Sequence, residues 1–168
     1  MQPRKKPRSE CPAARTLESV GEYWSILILR DAFQGFTRFD EFRRSLGIAP
    51  NILTRRLKHL TAQGLFKRRI YHRKPDWYEY VLTEKGRDFF PVVIAMFAWG
   101  NKHLAAKGAS LLMADRASSR GVEPVMVAAG TLAPITLDNV VLVPGPRASR
   151  DVHRRLDAMR ALRPHATV

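Results

Sequence analysis

The chain has 168 residues, 45% of them hydrophobic, and its 29 Lys and Arg stand against 15 Asp and Glu for a net charge of +14. That is enough for one domain with a real core plus an appendage, and polyanions, nucleic acid first, are the partners such a charge attracts. No apolar run approaches the ~20 residues that cross a bilayer, no apolar stretch of a secretory signal follows the basic start, and one cysteine excludes an intrachain disulfide or a Cys-rich zinc site, so a cytoplasmic setting with no membrane, metal or cofactor is expected.

Residues 1–10 read as a disordered basic arm, because two prolines and four cations leave nothing to bury. From Pro12 the spacing of Ala13, Leu17 and Val20 predicts a helix, which Gly21 ends. Glu22 to Gln34 is apolar nearly all the way round and predicts a central buried helix closed by Gly35. Thr37 followed by Asp40 predicts a capping box that opens a short helix with Phe39, Phe42 and Leu46 inward. Gly47 stops it, and after a three-residue turn Pro50 starts another helix that runs to Gln63, with Gly64 beyond. Two helices joined by so short a Gly-containing turn are the sequence form of a helix-turn-helix.

The period then changes from helical to alternating. Leu65–Tyr71 and Trp77–Leu82 predict two strands, joined through a basic tip at His72-Arg73-Lys74-Pro75-Asp76. Thr83 is placed to cap one long helix from Glu84 to about Ala106, whose Phe89, Phe90, Val93, Met96, Phe97 and Trp99 give more apolar face than a domain this size needs for itself, so a partner is expected. Beyond Lys107 the composition shifts to Ala, Gly, Ser, Pro and Arg. Val125–Ala128 and Val140–Val143 suggest short strands, and Ser149–Leu162 a basic amphipathic helix. The fold class expected is mainly α with a small β-hairpin (α+β): a winged helix-turn-helix domain at 11–106 and a short extension at 107–168.

On the helix from Pro50, the residues Asn51, Thr54, Arg55 and Lys58 fall at i, i+3, i+4 and i+7 and form a polar stripe, with Leu53, Leu57 and Leu60 opposite. Asn and Arg pair with adenine and guanine edges in the major groove, and Thr and Lys reach bases or phosphates. The hairpin places Arg73 and Lys74 where a wing meets the backbone or the minor groove. From Phe36 to Lys74 there are eleven Lys and Arg against Asp40 and Glu41, a concentration that points to duplex DNA. Arg38, at the head of this basic region, joins the candidate contacts.

The run Cys11-Pro12, then Gly21, Trp24 and Leu29-Arg30, then Arg38-Phe39 with Glu41, then Gly47-Ile48-Ala49-Pro50-Asn51-Ile52-Leu53-Thr54-Arg55-Arg56-Leu57, and finally Glu79-Tyr80-x-Leu82-Thr83-Glu84-Lys85-Gly86 resembles the HxlR-type family of winged helix-turn-helix regulators over about residues 11–106. The resemblance implies a homodimer held by the first and last helices of the domain, bound to a partly palindromic operator, with the helix from Pro50 as recognition helix and Arg73 and Lys74 on the wing; a repressor is the expectation. Trp77 stands where members often carry a wing arginine, and Ala49 where they carry the better caps Ser or Asn. Some members resemble redox or electrophile sensors with a lone N-terminal cysteine, the place of Cys11, which implies an oxidant or small-molecule effector. The tail resembles the extension of longer members, some with small zinc ribbons, yet it holds no cysteine here.

An enzyme built on Cys11 finds no support: His59, His72, His103, His153 and His165 are scattered, without ligand spacing or an orienting carboxylate, and His59 and His72 read as flanks of the recognition helix and wing. The alternative class is a winged helix used for protein contacts or RNA without operator specificity.

Overall fold

The computed structural model describes residues 9–162, the side chains through 161; the arm expected at residues 1–10 therefore lies, up to Arg8, outside the described residues. The described residues divide into two compact units, one spanning Ala13–Pro124, the other joining residues 9–12 with residues 125–162. The element order is α1 (Pro12–Val20), α2 (Tyr23–Phe33), α3 (Phe39–Leu46), α4 (Pro50–Ala62), β1 (Phe66–His72), β2 (Trp77–Leu82), α5 (Glu84–Arg87), α6 (Phe90–Leu104) and α7 (Arg150–Leu162). Among the described residues no helix is long and apolar enough to cross a membrane. The architecture is α+β, mostly helical with one two-stranded antiparallel hairpin.

The core of the first unit is one cluster in which Ile28 and Leu29 of α2, Phe42 of α3, and Leu53, Leu57 and Leu60 of α4 are fully buried. Each such side chain contributes about 1.5–3 kcal/mol by leaving water. Edge-to-face ring contacts run from Phe36 through Phe42 and Phe66 to Tyr80, at centroid spacings of 6.4, 6.3 and 6.4 Å, so the same aromatic ladder that packs α3 also seats the base of the hairpin. In the turn between α3 and α4, Gly47 adopts φ 59°, a left-handed conformation that lacks penalty only for glycine, and buried Ile48 pins the turn to the core.

Two expectations about helices are corrected. The cap of α3 sits one residue later than Thr37: Arg38 is the N-cap, and the carboxylate of Glu41, not Asp40, accepts the backbone N–H groups of Thr37 and Arg38 at 2.9 and 2.8 Å. Thr37 itself is drawn toward the hairpin, its carbonyl accepting from the Tyr80 N–H at 2.7 Å. The helix expected from Glu84 to Ala106 is in fact two, broken at Asp88-Phe89. Pro91 has no N–H to give the ladder and its ring would meet the carbonyl of Arg87, so the chain restarts as α6.

The tail carries no named strand among the described residues. Val125–Ala128 reaches only a single bridge, Val127 to Pro134, in a hairpin closed by Ile135 N–H to the Met126 carbonyl at 2.8 Å and Ala128 N–H to the Ala133 carbonyl at 2.9 Å. Pro134 has no N–H with which to extend the ladder. Val140–Val143 has no partner edge, and β-branched composition alone does not make a sheet. The helix expected at Ser149–Leu162 is present as α7, and the Ser149 hydroxyl donates to Glu10 at 2.7 Å. In the first unit, a further turn past α6 is closed by Asp115, whose carboxylate accepts from the N–H groups of Ala117 and Ser118 and from the Ser118 hydroxyl; that hydroxyl first, then the backbone, holds its pKa below the usual range.

Candidate nucleic-acid interface

The helix α4 starts poorly and is rescued from within. Ala49 offers no capping side chain, but the Oδ1 of Asn51 accepts the N–H of Ile52 at 2.9 Å, which satisfies one of the donors a helix start leaves open. Thr54 donates its hydroxyl to the Pro50 carbonyl at 2.8 Å. All four stripe residues, Asn51, Thr54, Arg55 and Lys58, are exposed together, opposite the buried Leu53, Leu57 and Leu60. Among the described residues, Arg55 and Lys58 engage no hydrogen bond or ion pair, so both present an uncommitted cation along this face.

The buried side of α4 holds what the sequence reading missed. Leu53, Arg56, Leu57 and Leu60 are themselves spaced i, i+3, i+4, i+7, and that spacing was the available signal that Arg56 points inward. Arg56 is 8% exposed and pairs with Glu22, at the head of α2, at 3.0 Å; its Nε has no partner. His59 is not a flank facing outward: its Nε2 hydrogen-bonds the Ser19 carbonyl at 2.9 Å, and Ser19 donates to the side chain of Gln63 at 3.3 Å. These contacts clamp the end of α1 and the elbow at Gly21 to the buried side of α4.

The hairpin pairs Phe66 with Leu82 through Ile70 with Tyr78, then shifts so that His72 faces Trp77. Trp77 packs on the rings of His72 and Tyr71, at 4.9 and 6.0 Å, and thereby stiffens the stem below the tip. Arg73 and Lys74 are exposed at that tip, neither paired among the described residues; Lys74 has φ 64° and its bond to Pro75 is cis. Arg38 reaches the same hairpin from the other side, with its guanidinium 4.4 Å over the ring of Tyr71, while Arg68 lies 3.8 Å over Tyr78.

Not all eleven cations of this region are available. Arg56 is buried, Arg69 donates to Glu79 at 2.7 Å, and Arg43 approaches Asp40 at 3.5 Å. Glu79 is 9% exposed and its pKa lies below the usual carboxylate range, first because Arg69 hydrogen-bonds it and next because the Thr37 hydroxyl does. Glu41 is lowered as well, by the backbone N–H of Arg38 and then that of Thr37. The structure thus brings six of the seven candidate DNA contacts to two neighbouring elements, α4 and the hairpin, with Arg38 stacked against the latter. Cys11 lies elsewhere, half-buried just before α1. Among the described residues no three His, Cys, Asp or Glu side chains gather as a metal site.

Residues 19–108, more than half the chain, match the model of the HxlR-like helix-turn-helix family. The chain belongs to that family. An HTH-type transcriptional regulator of Mycobacterium tuberculosis is 38% identical over 133 residues, covering 79% of this chain and 84% of its own length. YybR of Bacillus subtilis, also an HTH-type transcriptional regulator, is 38% identical over 94 residues, 55% of this chain and 75% of its own. Of solved structures, PA1374 of Pseudomonas aeruginosa, described as a transcription factor, is 50% identical with a TM-score of 0.64, over 87% of this chain and all of that one. PA1607, described likewise, is 35% identical with a TM-score of 0.74, over 82% and 97%. This HxlR-like protein is therefore a DNA-binding transcriptional regulator on a winged helix-turn-helix, and its relatives are regulators, not enzymes.

Proposed function

We propose that this HxlR-like regulator binds a partly palindromic operator as a homodimer and represses transcription, with α4 in the major groove and the wing on the backbone or minor groove. The observation that carries the reading is the division of α4: Asn51, Thr54, Arg55 and Lys58 are exposed along one face while Leu53, Leu57 and Leu60 are fully buried on the other. A helix so divided presents base-reading side chain types on a rigid support. Arg73 and Lys74 at the tip and Arg38 beside the stem supply the phosphate or minor-groove contacts.

Support for a second copy comes from α6. Phe90, Val92, Met96, Trp99 and Leu104 are all exposed on it, and on the preceding helices Leu17 and Tyr23 are exposed too. Contiguous apolar area of this kind is covered by a partner in a protein that stays in solution. An oxidant effector acting through Cys11 is the regulatory part of the proposal. It is supported by the position of the thiol at the head of α1 and by likeness to HypR, described as a redox regulator, which is 36% identical with a TM-score of 0.53 over 58% of this chain and 97% of that one.

The test is selection of bound fragments from random duplex DNA, followed by footprinting. Two related half-sites spaced by about one helical turn (~34–36 Å) are expected. A single site, or no preference over random duplex, refutes the dimeric operator and favours the protein-contact or RNA alternative. For the effector, oxidant is expected to release the wild type from DNA and not a Cys11→Ser variant; equal release refutes it.

A further inference from the structure

The wing stem contains one acid among many bases, and it is placed inside. Glu79 pairs in register with Arg69 across the hairpin, and on its other edge β2 bridges from Glu79 to Arg38. The carboxylate accepts from Arg69 Nε at 2.7 Å, and the backbone beside it is tied to the segment that leads into α3, the Tyr80 N–H donating to the Thr37 carbonyl at 2.7 Å. Arg38 is close enough for its charge to be felt at Glu79, yet its guanidinium rests on Tyr71 and makes no hydrogen bond among the described residues.

From this arrangement we infer that Glu79 is a positioning residue that withholds one wing cation from DNA: it neutralises Arg69 in the stem and leaves the cations that no carboxylate pairs, Arg38, Arg73 and Lys74 among them, as those that engage. The inference rests on the wing lying on DNA, as proposed above. Its physical content is that an arginine paired with a buried carboxylate adds no net charge to the surface, and so releases no counterion when phosphate approaches. Freed of its partner, Arg69 would bring a sequence-blind cation to the stem. Specificity falls as non-specific affinity rises.

The experiment measures binding of the full chain to its selected operator and to random duplex across a salt series. Glu79→Gln keeps the shape of the side chain and an oxygen acceptor but removes the charge. One added phosphate contact steepens the salt slope by about 0.9, an extra loss of about 3.5-fold in affinity between about 50 and about 200 mM salt, with tighter random-duplex binding at the low end. The double variant Glu79→Gln with Arg69→Gln removes a neutral pair, so its slope and operator preference are expected to match wild type. It adds no unpaired charge to the stem, and decides the matter by itself if Glu79→Gln does not fold. A folded Glu79→Gln with an unchanged slope overturns the inference, as does a double variant whose slope is flatter by about one contact. A carboxylate with only a structural role would change the melting temperature and leave the slope alone. Lys74→Ala separates the two levels: no change of slope there means the wing does not lie on DNA, whatever Glu79 does.

Discussion

Replacing Gly86 by alanine tests how tightly α5 is set against the hairpin. A Cβ built on Gly86 would lie 2.2 Å from the carbonyl oxygen of Leu65 and 3.1 Å from its carbon, both backbone atoms that no rotamer change can move. Taken as a helix position alone, the change should stabilise by about 0.5–1 kcal/mol. Against this, the Leu65 carbonyl must retreat by about 1 Å, an overpacking cost of about 1–3 kcal/mol. That carbonyl also accepts from the Thr83 N–H at 3.0 Å, a bond worth about 1 kcal/mol that the retreat weakens, while the Thr83 hydroxyl gives its proton to the Gly64 carbonyl at 2.6 Å. The balance is a destabilisation of about 2 kcal/mol, or roughly 8 °C in melting temperature for a unit of this size. Circular dichroism melts at fixed protomer concentration measure it. A variant melting at or above wild type would show that propensity outweighs the contact and that the turn between Leu82 and α5 is slack.

Arg55→Ala should cost about 1–3 kcal/mol of operator binding and relax preference at one base step in each half-site, read by selection on randomised operators. Lys74→Ala should weaken all duplexes alike and flatten the salt slope by about one contact. Trp99→Asp on α6 should shift the dimer toward monomer in sedimentation equilibrium while leaving the helical spectrum in place, since Trp99 is 59% exposed in the single chain. The lowered carboxyls of Glu41 and Glu79 add stability that is complete above the ordinary carboxylate range and is lost as pH falls through their lowered values. Glu41→Gln should remove part of that acid limb and cost about 1 kcal/mol at neutral pH through the weakened cap; a stability profile unchanged below pH ~4 would refute the assignment.

Much of this was legible because it is periodic. The two faces of α4 follow from 3.6 residues per turn, and the hairpin follows from alternation around a turn-rich tip, so both are set by local geometry that a sequence carries directly. What was not legible depends on a third party. Thr37 has the residue type of a cap, but its carbonyl is claimed by Tyr80 across the fold, and the cap moves to the next residue. Arg69 counts as a cation in any tally of charge; only the register that sets it against Glu79 removes it. In the tail, Val140–Val143 has strand composition but no edge to pair with, which no inspection of four residues reveals. The break before Pro91 was visible in the residue type, yet the long apolar face on either side of it argued for continuity.

That break has a geometric meaning. In a dimer built on α6, the pair of α6 helices would be the frame, and each head is fixed to it both through Asp88 and Phe89 and through α2, whose Phe33 meets Phe90 edge to face at 5.1 Å while Val93 is buried. An unbroken helix would fix the heads along one axis, so that every added residue turned them by 100° as well as moving them by 1.5 Å. The break at 88–89 lets α5 sit tightly on Leu65 at Gly86 while α6 lies against α2, so the direction of the head relative to α6 is decided by the packing of Phe33 on Phe90 and not by helix length.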